Sequence, residues 1–250
     1  MADPSGIDFG GSGIKAAPVD LSTGDFSAER ERIDTPAESN PKAVAKVMAT
    51  LLERFEDSHS AVGVTIPGVV RKNGVVASAA NIDKGWIGTD ADDLLSEELG
   101  REVHVINDAD AAGLAEARYG VARGRDGLVI VTTLGTGIGS ALLYDGTLVP
   151  NTELGHLEIE GHDAESRAAN SARKNEELSW EKWAKRLTTY YRTLEKLFSP
   201  DLFVVGGGVS KNGNEFIPLI DIDTEIISAT LRNTAGIVGA AALAVDKQDA

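Results

Sequence analysis

Cysteine is absent from the 250-residue sequence. That one absence excludes disulfides, thiolate nucleophiles and cysteine-ligated zinc, and with them a secreted disulfide scaffold. No apolar run approaches membrane-spanning length, and the opening Met1-Ala2-Asp3-Pro4-Ser5 lacks the pattern of a signal peptide. The cytoplasm is therefore the expected compartment, and no membrane is expected as a partner. Positive charge is also scarce. Lysine and arginine number 24 against 39 aspartates and glutamates, a formal net charge of −15. Such a surface does not attract nucleic acid as a whole. Solubility is the first explanation of so much acid, and a polyanionic ligand would require a local basic patch.

An apolar content of 42% and a charged content of 25% supply a core for one large domain or two small lobes sharing a cleft. Residues 60–66 (SAVGVTI), Val103–Ile106 and Leu202–Val205 are short apolar runs of the kind that form buried strands. Between them lie helical patterns. Asn40-Pro41 is a helix start, followed by Val44, Val47, Met48, Leu51, Leu52 and Phe55. Trp183, Leu187, Tyr190, Tyr191, Leu194, Leu197 and Phe198 recur at helical spacing until Pro200, and they read as core rather than as a cofactor box. Strands alternating with helices predict an α/β fold.

The sequence also repeats itself. Asp8-Phe9-Gly10-Gly11-Ser12-Gly13-Ile14 leads into the strand-like 15–21, and Thr133-Leu134-Gly135-Thr136-Gly137-Ile138-Gly139 leads likewise into 140–144. Each copy reads as strand, glycine turn, strand, the mark of a duplicated α/β half. The expected lobes are residues 1–106 plus 236–250, with the last helix (Thr234–Val245) packing back on the first lobe, and residues 107–235.

Glycines in such a turn let backbone N–H groups converge on an anion such as phosphate. A P-loop is excluded, because no glycine-lysine-Ser/Thr triplet exists. Gly11-x-Gly13-x-x-Ala16 matches the loose dinucleotide fingerprint, but that motif needs a following helix. Residues 14–21 instead carry a period-two pattern with Pro18. Two glycine hairpins facing each other would clamp a polyphosphate tail, which suits phosphoryl transfer. Gly206-Gly207-Gly208 follows a strand and reads either as a strand-to-helix turn or as a close approach to a nucleotide. Asn107-Asp108 lies at a strand end, where α/β sheets place ligands, and Asp108 equally suits a helix N-cap. Glu153, His156, His162 and Glu165 form a polar group able to bond several hydroxyls, whereas Glu158 and Glu160 read as an acidic loop.

Taken in order, Asp8-x-Gly10-Gly11-Ser12, Asn107-Asp108, Leu134-Gly135-Thr136-Gly137-x-Gly139, Glu153-x-Gly155-His156 and Val205-Gly206-Gly207-Gly208-Val209 resemble the ROK sugar kinases. That resemblance implies the actin-like (ribonuclease H-like) duplicated two-lobe fold with a cleft between lobes. Gly155–His162 and Asn175–Trp180 look most like the polyphosphate glucokinases and glucomannokinases of that family. The resemblance implies transfer of a phosphoryl group from inorganic polyphosphate, with ATP as a further donor, to the 6-hydroxyl of glucose.

It also implies roles. Asp108 would be the general base. Asn107, Glu153, His156 and Glu165 would hold sugar hydroxyls, with Gly68 and Asn81 closing the pocket. Gly10, Gly11, Ser12, Gly135, Thr136 and Gly137 would cradle the donor phosphates, Gly206–Gly208 would approach a nucleotide, and Asp8 would orient Mg²⁺ through water. A homodimer follows from the resemblance alone. Structural zinc, which many family members hold through cysteines and the histidine matching His156, is not expected here.

Candidate cations for a polyphosphate track are Lys15, Arg71, Lys72, Lys84, Arg123 and Arg125, at least half of them ordinary surface charge. An ATP-only glucokinase or a hexokinase or mannokinase of the same family is the alternative. A sugar-responsive repressor is disfavoured, because only seven residues precede Asp8, and a non-catalytic scaffold would leave the polar sugar group without purpose.

Overall fold

The computed structural model of the chain describes residues 3–55 and 61–248. Ser60 of the expected strand, like Met1 and Ala2, lies outside the described residues. In chain order the elements are β1 (Ser5–Gly10), β2 (Gly13–Asp20), β3 (Asp25–Phe26), β4 (Glu31–Ile33), α1 (Pro41–Leu52), β5 (Val62–Ile66), α2 (Ala91–Leu99), β6 (Val103–Asn107) and α3 (Asp108–Tyr119). Then come β7 (Leu128–Leu134), β8 (Ile138–Tyr144), β9 (Thr147–Val149), β10 (Glu158–Ile159), β11 (His162–Asp163), α4 (Ala164–Ala168), α5 (Asn170–Asn175) and α6 (Trp180–Phe198). The chain closes with β12 (Leu202–Gly206), α7 (Gly213–Phe216), β13 (Ile226–Ser228) and α8 (Ala235–Gln248). By its contacts the chain divides into two units, residues 1–111 with 234–250, and residues 112–233.

The first unit is built on a sheet of order β3-β2-β1-β5-β6, with β4 also paired to β2. β1 and β2 form an antiparallel hairpin, while β1, β5 and β6 run parallel. Helix α1 begins where Asn40 accepts a hydrogen bond from the Ala43 amide at 3.0 Å and Pro41 takes the first helical position. It buries Val44, Ala45, Met48, Leu51 and Leu52. Helix α8 lies hard against the sheet because the facing strand positions are glycine. A Cβ on Gly6 would sit 1.9 Å from the Ile237 carbonyl, and one on Gly63 would sit 1.8 Å from that of Ala240. Gly6 and Gly63 are register partners on β1 and β5, so one smooth strip of sheet receives the helix.

The second unit carries the order β13-β12-β7-β8-β9. Its β7–β8 hairpin is antiparallel, and β7, β12 and β13 run parallel. The path β2-β1-β5-β6 of the first unit thus recurs as β8-β7-β12-β13, with the same strand directions. The repeat read in the sequence is a repeat of topology. Helix α6, capped by Ser179, buries Trp183, Leu187, Tyr190, Tyr191 and Leu194 along one side. Stripping one such ring to alanine typically costs about 3–5 kcal/mol.

Candidate active site

In the first unit the parallel strands bring several of the predicted residues to one edge. Asp8 pairs in register with Thr65, Thr65 with Ile106, and Ile66 with Asn107. Asp8 and Asn107 therefore lie toward the C-terminal ends of parallel strands, where such sheets place their ligands. The buried Thr65 hydroxyl donates to Asp8 Oδ1 at 3.2 Å and accepts from the Phe9 amide at 3.1 Å. Lys15, opposite Asp8 in the hairpin, binds Asp8 Oδ2 at 2.8 Å. Both carboxylate oxygens are engaged.

Asn107 is nearly buried, and its side chain does two things. Its Oδ1 accepts from the amides of Ala109 at 2.8 Å and Asp110 at 3.0 Å, which makes it the cap of α3. Its Nδ2 donates to the Gly68 carbonyl at 3.0 Å. The capping role that Asp108 suited on sequence grounds belongs to Asn107. Asp108 is instead the first helical residue, exposed, with Oδ1 accepting from the Ala109 amide at 3.0 Å. Gly68 is hemmed in, since a Cβ there would lie 2.1 Å from the Ser78 carbonyl. Asn81 adopts a left-handed conformation (φ 59°). Its carbonyl would stand 3.0 Å from a Cβ on Gly11, so Asn81 and the first glycine turn are neighbours.

The two glycine turns differ in length but are anchored alike. The β1–β2 hairpin closes at Gly10 and Gly13, leaving Gly11-Ser12 between them. The β7–β8 hairpin closes at Leu134 and Ile138, around Gly135-Thr136-Gly137. In the first turn the Thr35 hydroxyl donates to the Gly10 carbonyl at 2.6 Å and Arg32 to the Ser12 carbonyl at 2.9 Å. In the second, Ser171 donates its amide to Gly135 at 3.1 Å and its hydroxyl to Thr136 at 2.5 Å. A trans peptide points its N–H opposite its C=O. Tying back the carbonyls of Gly10, Gly135 and Thr136 therefore turns the amides of Gly11, Thr136 and Gly137 the other way, as an anion requires.

The second unit gathers its polar group around Ile138. Glu165, just inside the short helix α4, accepts from the Ile138 amide at 3.0 Å. A Cβ on Gly137 would come within 2.3 Å of that carboxylate. Gly155 is equally constrained, because a Cβ would lie 2.2 Å from the Ile138 carbonyl. That contact fixes the turn carrying Glu153 and His156.

His156 Nδ1 bonds Asp163 Oδ2 at 2.9 Å. This bond raises the imidazole pKa against the opposing effect of burial, and Glu165 and Glu153 add to the rise. Although Glu153 retains exposed surface, partial desolvation of its carboxyl raises its pKa; His156 opposes the rise and Glu165 reinforces it. Glu153, His156 and Glu165, whose charges respond to one another, suit a polyhydroxylated ligand.

Other predicted residues fall elsewhere. His162 leaves the group and pairs with Arg167 at 2.7 Å. Asp163, which carries no sequence signal, takes its place. His156, Asp163 and Glu165 offer donor atoms within 4.8 Å of one another. Gly207 (φ 77°) has a packing explanation: a Cβ would meet the Leu134 backbone at 2.8 Å. Gly206 ends β12, and nothing lies within 4 Å of a Cβ on Gly208. Among the candidate track cations, Lys15 binds Asp8, Lys84 donates to the Ala79 carbonyl and Arg125 pairs with Glu225. Arg71, Lys72 and Arg123 are exposed.

The duplicated sheet topology and the paired glycine turns define the actin-like (ribonuclease H-like) fold in its sugar-kinase form. Residues 5–169 match the ROK family, and the chain belongs to it. It is 50% identical over 241 residues to a polyphosphate glucokinase of Mycobacterium tuberculosis (strain CDC 1551 / Oshkosh), covering 96% of this chain and 90% of that protein. The crystal structure of an inorganic polyphosphate/ATP-glucomannokinase from Arthrobacter sp. strain KM superposes with a TM-score of 0.94 at 52% identity, covering 99% of this chain and all of that one. A ROK family glucokinase from Streptomyces griseus, in complex with glucose and AMPPNP, superposes with a TM-score of 0.83 at 25% identity, covering 97% and 99% of the two chains.

Proposed function

We propose that this chain is a glucokinase that transfers a phosphoryl group from inorganic polyphosphate, and also from ATP, to the 6-hydroxyl of glucose. The observation that carries the reading is the pair of glycine turns with their carbonyls tied back. It is joined by about 50% identity to a polyphosphate glucokinase along nearly the whole chain. Phosphoryl transfer asks chiefly for positioning and charge stabilisation, and turns of this kind supply both.

In this reading Asp108 accepts the proton of the 6-hydroxyl while that oxygen bonds the terminal phosphorus and the bond to the departing phosphate chain breaks. Asn107 holds Asp108 at the start of α3 through its cap and offers the sugar a polar neighbour. Glu153, His156 and Glu165 bind the remaining hydroxyls, with Gly68 and Asn81 closing the pocket. The turns of Gly10–Ser12 and Gly135–Gly137 cradle the donor phosphates, with the Gly11, Thr136 and Gly137 amides as donors. For ATP, Gly206–Gly208 lies against the nucleotide.

Phosphoryl transfer of this kind normally uses a divalent metal, here Mg²⁺, which neutralises charge on the donor phosphates. With Thr65 and Lys15 already on its oxygens, Asp8 suits an ion held through water rather than by direct ligation. The cytoplasm and a homodimeric state belong to the same proposal. Among the described residues no helix is long and apolar enough to cross a membrane. The test is ³¹P NMR of the protein with glucose, Mg²⁺ and long-chain polyphosphate. A growing phosphomonoester signal that depends on glucose is expected, and its absence would overturn the proposal.

A further inference from the structure

The basic side chains of this acidic protein are unevenly spread. Residues 167–196 hold eight of the 24 lysines and arginines but only four acidic residues, a local excess of four positive charges in a chain of net −15. The second unit folds that stretch around a pocket of about 270 Å³ walled by α4 and α6. Arg167, His162, Arg186, Thr189 and Tyr190 bring polar groups to it over a floor of small apolar side chains, and Glu160 is the one acid in its lining. Arg186 is held in place by Glu176 and by the Arg167 carbonyl. Lys182 and Lys185 are exposed on α6 and stand one helical turn from Arg186 and Thr189, on the same face. Tyr190 is buried, yet its hydroxyl has no hydrogen-bond partner among the described residues. A buried hydroxyl in that state is an unfilled demand.

The pocket is also tied to the second glycine turn. Helix α4 carries Glu165, which bonds Ile138, and the first turn of α5 carries Ser171, which bonds the Gly135 and Thr136 carbonyls. We propose that the part of a polyphosphate chain beyond the transferred end is held in this pocket and along the Arg167–Lys182–Lys185–Arg186 face. The inference rests on polyphosphate as donor. It places the track on residues 167–186 of the second unit, apart from the candidates Lys15 and Lys84, which bond within the first unit.

The experiment compares tripolyphosphate with long-chain polyphosphate as donors, at several salt concentrations, for the wild type, Arg167→Ala/Lys182→Ala/Lys185→Ala and a Lys46→Ala control on α1. Removal of three cations is expected to raise KM for the long chain about tenfold or more. It should also lower the slope of log KM against log salt by about two, taking ~0.7 per contact as for single-stranded polyanions. KM for tripolyphosphate should change less than about threefold, and Lys46→Ala should follow the wild type.

Acetylation of the wild-type protein provides a second measurement independent of any variant's folding: long-chain polyphosphate should protect Lys182 and Lys185 but not Lys46. A wild type that uses polyphosphate, but with neither protection nor an altered chain-length dependence in the triple variant, overturns the track alone. A wild type that makes glucose 6-phosphate from ATP but from no polyphosphate overturns the donor assignment itself.

Discussion

Replacing Asn107 by alanine removes both of its bonds together, and the structure gives the size of each loss. The α3 cap is lost, typically worth about 1 kcal/mol. The buried Gly68 carbonyl is left without its donor, at a cost of about 1–2 kcal/mol. The sum is about 2–3 kcal/mol, or a fall in thermal midpoint of roughly 5–10 °C for a chain of this size. Asp108 is the next residue, so a loosened helix start also displaces the proposed base, and a misplacement near 1 Å can cost about a hundredfold in kcat. Asn107→Ser separates the two bonds, because serine caps a helix as well as asparagine but cannot reach Gly68 as a donor. The expected order of stability is wild type, then Ser, then Ala, measured by thermal unfolding followed by circular dichroism. An alanine variant that melts with the wild type, or a serine variant no better than alanine, would refute the reasoning.

Three further outcomes follow from the same geometry. Asp108→Asn should lower kcat at least a hundredfold while glucose binding, measured by calorimetry, falls far less; retention of more than about a tenth of the activity contradicts the base assignment. Asp163 raises the His156 pKa, so the stabilising interaction of protonated His156 is fully present below about pH 6.5 and is lost as pH rises through the higher folded value. Asp163→Asn should bring that titration back down, read from the His156 ring protons by NMR, and an unmoved midpoint counts against the contact. Purified protein should carry no stoichiometric zinc, yet lose turnover in EDTA and regain it with Mg²⁺; about one zinc per chain by elemental analysis would redirect attention to His156, Asp163 and Glu165.

Much of the architecture is legible in the sequence because its signals are local. Period-two apolarity after each glycine cluster marks β2 and β8 as strands, and it separates these turns from a dinucleotide-binding loop. Asn40-Pro41 and Pro200 punctuate helices by backbone chemistry alone. What escapes the sequence is long-range. Thr35, Arg32 and Ser171 anchor the glycine turns from 25, 20 and 35 residues away, through contacts that leave no periodic trace. Gly207 looks like a ligand-approach glycine, yet it faces backbone of its own unit, as Gly155 does. Lys15 looks like a surface cation until the hairpin register sets it opposite Asp8. The division of labour between Asn107 and Asp108 is likewise invisible, since either residue type caps a helix.

The reaction itself is the most direct test of the assigned function. Glucose 6-phosphate formation should be measured with ATP and with long-chain polyphosphate side by side, on the same purified protein with Mg²⁺. The account predicts glucose 6-phosphate from both donors, with the polyphosphate reaction weakened more steeply by added salt than the ATP reaction. Product from ATP and none from polyphosphate would contradict it.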